Sequence, residues 1–125
     1  MEIKPTSSEL EILQILWQKG ASTVRQVNEE LSLIRGEEVG YTTTLKLMQI
    51  MHEKGILERD TRTRTHVYRP LVNKERTRGK ILNKFIDTVF NGSASQLVMQ
   101  ALSNRKASKE EIEQIRKYLD ELDKN

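Results

Sequence analysis

The hydrophobic period of this chain changes once, at Gly55, and that change limits the folds open to it. Before Gly55, apolar residues recur every three or four positions: Leu10, Leu13, Leu16 and Trp17, widened by Ile12; then Val24, Val27, Leu31 and Ile34; then Leu47, Met48 and Met51, with Thr44 on the same face. This spacing predicts three amphipathic helices, over 6–19, 22–34 and 42–54. After Gly55, Ile56-Leu57-Glu58-Arg59 and His66-Val67-Tyr68-Arg69 alternate, with β-branched and aromatic members, around the polar stretch Asp60–Thr65. That is an antiparallel hairpin with a basic tip, its second strand ended by Pro70. Local signals agree. Thr6 and Glu9 have capping-box spacing, Gly20 ends the first helix, and Ser22 or Thr23 caps the second. Thr42, Thr43 and Thr44 are poor helix formers that a helix tolerates near its start.

Past Asn73 the helical period returns. A helix over 74–90 has a basic first half and an apolar second half (Ile81, Leu82, Phe85, Ile86, Val89, Phe90). Asn91-Gly92 breaks it, and the sequon Asn91-Gly92-Ser93 reads as a turn. A short helix over 93–103 carries Leu97, Val98, Ala101 and Leu102. Ser108 and Glu111 form a second capping box, opening a helix whose Ile112, Ile115, Leu119 and Leu122 follow the 3-4-3 spacing of a helix-pair seam. The fold class is therefore mainly α. An N-terminal winged helix-turn-helix (three helices plus a β-hairpin wing, residues 1–73) is followed by a three-helix dimerisation domain, residues 74–125.

Composition narrows the chemistry. The chain has 125 residues, 31% of them charged, 36% hydrophobic and 5% aromatic, and no cysteine. Without cysteine there is no disulfide, iron–sulfur cluster or thiolate zinc site. His52 and His66 are too few for a three-histidine zinc site and lack metal-binding spacing. No paired carboxylates sit in an apolar setting, and there is no nucleophile elbow or glycine-rich phosphate loop. The expectation is no enzyme, no metal and no cofactor. The opening Met1–Leu10 has no apolar leader and no run approaches the roughly 18 apolar residues of a membrane span, so a soluble, cytoplasmic protein without membrane insertion is expected.

The net charge of +3 conceals an uneven distribution. Residues 59–84 hold nine basic side chains (Arg59, Arg62, Arg64, Arg69, Lys74, Arg76, Arg78, Lys80, Lys84) against Asp60 and Glu75, and residues 85–104 hold only Asp87. A concentrated basic segment is the electrostatic footprint of a polyanion contact. In a winged helix the third helix enters the DNA major groove and the wing lies on the backbone. The third helix offers hydroxyls, an amide and a cation on one face, at Thr42, Thr43, Lys46 and Gln49, with Glu53 opposing them electrostatically. The wing tip offers Arg62 and Arg64 to the phosphates. Some fifty residues after Asn73 cannot make a large core alone. Pairing of two chains would cover the candidate dimerisation residues Phe85, Ile86, Val89, Leu97, Val98, Leu102, Ile112, Ile115, Leu119 and Leu122. The expected partners are a double-stranded DNA operator and a second copy of the chain. The alternative is a winged-helix protein-interaction module without DNA binding.

These residues resemble a known family, the penicillinase and methicillin-resistance repressors (the BlaI/MecI group), with copper-responsive repressors as relatives. Ser8–Trp17 resembles the family's first helix. Tyr41–Leu45 followed by Met51–Leu57 resembles its third helix and exit, and Val67–Val72 its second wing strand. Phe85–Ser93, then Gln96-Leu97-Val98, resembles the entry to the dimer domain, and Ser108–Ile112 is also family-like. The resemblance implies a dimeric repressor of resistance genes that binds inverted repeats with a TACA/TGTA core. It further implies a membrane sensor-protease that triggers cleavage between an Asn and a Phe in the dimer domain. The matching pair here is Gln100-Ala101, a departure from the family pattern at the candidate proteolytic site. Ile50 stands where the family often has a basic residue facing DNA. The absence of cysteine argues against the copper-sensing branch.

Overall fold

A computed structural model of the chain describes residues 4–124; Met1, Glu2 and Ile3 of the opening segment, and Asn125, lie outside the described residues. The element order is α1 (Ser7–Lys19), β1 (Ser22–Thr23), α2 (Val24–Arg35), α3 (Tyr41–Glu53), β2 (Leu57–Asp60), β3 (Val67–Pro70), α4 (Lys74–Val89), α5 (Ala94–Asn104) and α6 (Lys109–Asp123). Helices dominate, and the order of three helices and a hairpin followed by three more helices is the predicted winged helix-turn-helix with a helical C-terminal part. The chain divides into two compact units, residues 1–78 and 79–125, so that the division falls within α4.

The capping signals act as read. Thr6 and Glu9 bond reciprocally at the start of α1, and Ser108 and Glu111 do the same at α6. Thr23 and Gln26 form a third capping box at α2. Gly20, Gly36, Gly55 and Gly92 take positive φ where helices end or the chain turns, the left-handed region that a Cβ disfavours. The helix α3 starts one residue earlier than its pattern predicted, with Gly40 as its N-cap and no side-chain cap.

The sheet differs from the expected two-stranded hairpin. It has three antiparallel strands in the order β1-β3-β2, with Ser22 opposite Tyr68 and Thr23 opposite Val67. Two residues are too few to display a period, so β1 left no trace in the sequence beyond its role as a cap. The wing strands pair Leu57 with Pro70, Glu58 with Arg69, Arg59 with Tyr68 and Asp60 with Val67. Pro70, which lacks an N–H, closes the strand at its end.

The core of the first unit is Ile12, Leu13, Ile15, Leu16, Val24, Val27, Leu31, Val39, Met48, Met51, Ile56, Leu57 and Tyr68. Leu10, Trp17, Leu45, Leu47 and Val72 pack against it half-buried, and the Trp17 indole N–H donates to the Val72 carbonyl at 3.2 Å. The expected stripe of the second helix ends early: Ile34 is 60% exposed, as is its neighbour Leu33 at 74%. Arg35, one residue on, turns outward to a bidentate bond with Glu11 of α1.

Candidate nucleic-acid interface

The helix α3 divides into two faces. Thr44, Met48 and Met51 are buried, while Thr42, Thr43, Lys46 and Gln49 are exposed together on the opposite side. Residues 42, 46, 49 and 53 recur at three- and four-residue steps, which aligns them on one stripe. Glu53 is on that stripe at the helix end and Ile50 beside it is half-buried.

Polar contacts fix both ends of α3. At its start, the Asn28 side-chain amide donates to the Val39 carbonyl and to the buried Thr44 hydroxyl, each at 2.9 Å. The Ser32 hydroxyl accepts the Val39 N–H at 3.1 Å and donates to the Asn28 carbonyl at 2.9 Å. The loop between α2 and α3 is thereby satisfied and held. At the other end, the Lys54 ammonium donates to both oxygens of Glu9 at 3.0 Å each. Glu9 is 2% exposed. Burial pushes its carboxyl upward, but the Thr6 N–H, the Lys54 ammonium and the Thr6 hydroxyl together hold it below its ordinary value of 4.5. The His52 ring nitrogen Nδ1 bonds the Leu57 carbonyl at 3.2 Å, tying the end of α3 to β2.

The wing tip, residues 61–66, is exposed. Its two predicted phosphate contacts are in different states. Arg62 forms a fork with Asp60, Nη2 to Oδ2 at 2.7 Å and Nε to Oδ1 at 3.0 Å, and its backbone N–H also donates to Asp60. These bonds from Arg62 hold the Asp60 carboxyl down at about 2. Arg64 makes no ion pair among the described residues. Lower on the wing, Arg69 pairs with Glu58 at 2.7 Å. The tip therefore carries less uncompensated charge than its arginine count suggests.

Two residues that the sequence reading did not single out join this surface. Arg25, in the first turn of α2, lies with its guanidinium 5.9 Å from the ring centroid of Tyr41, the first residue of α3. Arg59 lies on β2. Both line a cleft of about 420 Å³ with Thr23, Tyr41, Gln49, Arg64 and His66, and no carboxylate lines it. Arg59 had a sequence signal, since the strand period puts it on the same face as the buried Leu57. Arg25 had none, because its relation to Tyr41 depends on how α2 packs against α3.

In the second unit, Phe85, Val89, Val98, Leu102, Leu119 and Leu122 are exposed, and Ile86, Leu97, Ile112 and Ile115 are half-buried. Phe85 and Phe90 stack at 5.8 Å with their planes tilted by 55°. Gln100 and Ala101 are exposed but lie inside α5, where the Gln100 amide donates to Asn104 at 2.9 Å. Among the described residues no helix is long and apolar enough to cross a membrane.

The sequence pattern of one protein family, the penicillinase repressors, matches residues 5–121. The chain is 26% identical over 114 residues to the methicillin resistance regulatory protein MecI of Mammaliicoccus sciuri, covering 91% of each chain. It is 26% identical over 116 residues to the penicillinase repressor of Bacillus licheniformis, covering 93% of this chain and 89% of that one. Among solved structures it is similar in fold to RosR of H. salinarum, with a TM-score of 0.52 at 20% identity over 93% of this chain and 91% of that one. A complex named hsRosR-SG gives a TM-score of 0.54 at 19% identity, over 93% and 89%.

Proposed function

The chain belongs to the penicillinase repressor family, and from that premise we propose that it is a homodimeric, cytoplasmic transcriptional repressor. It binds an inverted-repeat operator in double-stranded DNA and controls a resistance or stress operon. The observation that carries this reading is the outer face of α3. Thr42, Thr43, Lys46 and Gln49 are exposed together on a helix whose other face is buried and whose two ends are anchored. Hydroxyls, an amide and an ammonium are the groups that read base edges and grip phosphates, and a groove about 12 Å wide admits such a helix. Arg64 stands on the wing to meet the backbone. In a dimer, two copies of α3 would face half-sites about one DNA turn apart, which suits an inverted repeat.

A mobility-shift titration tests this on the DNA upstream of the protein's own gene. With six or more phosphate contacts, affinity falls about a thousandfold or more between 50 and 200 mM salt. Lys46→Ala weakens binding to that DNA. A flat salt dependence, or no shift at all beside a protein partner that co-purifies, would favour the protein-interaction module instead.

Relief of repression is the second part of the reading: a membrane sensor-protease signals for cleavage at Gln100-Ala101. Both residues are exposed, but their bond lies within a helix, so α5 must open locally before a protease can engage an extended strand. Cells treated with a β-lactam should then contain a repressor fragment cut within α5 on an immunoblot. Intact repressor under full derepression would remove this part and leave the DNA-binding part standing.

A further inference from the structure

Stability does not explain the position of Arg59. It follows the buried Leu57 by two residues on β2 and pairs across the ladder with the buried Tyr68. Its Nε is buried and has no hydrogen-bond partner, alone among the described side chains. A buried donor without an acceptor costs free energy, and native proteins leave few of them. Glu58 and Asp60 flank Arg59 in sequence, but the strand period places them on the other face of β2. Each is already held by another arginine, Glu58 by Arg69 and Asp60 by Arg62, both at 2.7 Å. Arg25 and Arg64 line the same cleft with no ion pair of their own among the described residues, and no carboxylate lines it. Arg25, Arg59 and Arg64 thus line one cleft without a carboxylate, although Arg59 also borders a second hollow with Glu58 and Asp60, and like charges on one wall favour an anion between them.

We propose that this cleft seats one phosphate of the DNA backbone, with Arg59 donating from the base of the wing and Arg25 from the start of α2. The inference rests on the DNA-binding reading above and extends it. A guanidinium presents a planar fork that fits two phosphate oxygens. Arg59 is carried by a paired strand and Arg25 stacks on Tyr41, so both donors are positioned before DNA arrives. Gln49 of α3 lines the same cleft, so a phosphate seated there would set the register of the reading face along the groove.

The test compares wild type with Arg59→Met, which keeps an unbranched apolar stem and removes the charge. Two duplexes of equal length are used, one carrying the inverted repeat upstream of the gene and one of random sequence. Arg59→Met should weaken binding roughly tenfold on both duplexes. It should also make the negative slope of log affinity against log salt shallower by about one. Its melting temperature should equal or exceed that of wild type, because an unpaired buried donor is gone. Replacing single operator phosphates by neutral methylphosphonates should reveal one position that weakens wild type and leaves Arg59→Met unaffected. A lower melting temperature with an unchanged salt slope makes Arg59 a structural residue and overturns the inference. Wild type that binds DNA with a slope the variant shares overturns this inference alone. Wild type that binds neither duplex overturns the DNA-binding reading as well.

Discussion

The two units treat their apolar residues in opposite ways. Residues 1–78 close around a core in which Ile12, Leu13, Val27, Leu31, Met48, Met51, Ile56 and Leu57 have no exposed surface. The helices α4, α5 and α6 bury no residue to that degree, and Phe85, Val89, Leu119 and Leu122 each remain about half exposed. The contrast does not come from weaker amphipathicity, since α6 has the regular apolar spacing of Ile112, Ile115, Leu119 and Leu122. It comes from what each helix has to pack against. In the first unit, α1, α2 and α3 meet a hairpin that covers the remaining side, so every stripe has an opposite surface. In the second, each of the three helices leaves much of its apolar stripe exposed.

The largest expected effect tests that contrast directly. Leu31→Ala should lower stability by about 2–5 kcal/mol in urea unfolding, at any protein concentration. Leu119→Ala should act differently, raising the dimer dissociation constant in sedimentation equilibrium and lowering the melting temperature in a concentration-dependent way. Equal, concentration-independent losses for the two variants would mean that the second unit has a core of its own.

The next effect concerns how the first unit holds α3. Glu9→Gln leaves Lys54 without its carboxylate and should cost about 1–3 kcal/mol. The folded carboxyl lies below its ordinary value of 4.5, so its contribution is fully present above that value and fades as pH falls through the lower folded value. Wild type should therefore lose stability relative to Glu9→Gln as the solution is acidified below about pH 4.5. Parallel stability curves from pH 3 to 7 would show that the pair does not matter.

A smaller effect separates the wing arginines. Arg64→Ala should weaken DNA binding more than Arg62→Ala, because Asp60 already compensates the Arg62 guanidinium. Equal losses would mean that DNA displaces Asp60 from Arg62. The smallest effect is at Asp60 itself. Asp60 titrates at about 2 when folded and near 3.8 when unfolded, so its bond to Arg62 should persist to about pH 4 and loosen only as pH falls toward 2. The Asp60 carboxyl resonance, followed by NMR across that range, checks this.

Much of the fold was legible because local chemistry repeats itself. The capping boxes at Thr6 and Ser108, the glycine stops and the change of period after Gly55 each need only a few neighbouring residues to act. The exposed stripe of Thr42, Lys46 and Gln49 followed from the helical period alone. Where the reading went astray, the missing term was a contact distant in sequence. Ile34 continues the stripe of α2 but lies beyond the reach of the core. Ser22 and Thr23 join a sheet because Val67 and Tyr68 are beside them.

The sequence by itself determined which residues share a face of each helix and of the two wing strands, since a 3.6-residue or two-residue period is a property of the backbone. It also determined where the positive charge concentrates. Only the tertiary structure decided which of those charges are available. Asp60 occupies Arg62, Glu58 occupies Arg69, and Arg59 is left in a cleft with Arg25 and no acid. The reason is physical: a period says which way a side chain points, while the free charge on an arginine depends on what stands within a few ångströms of it.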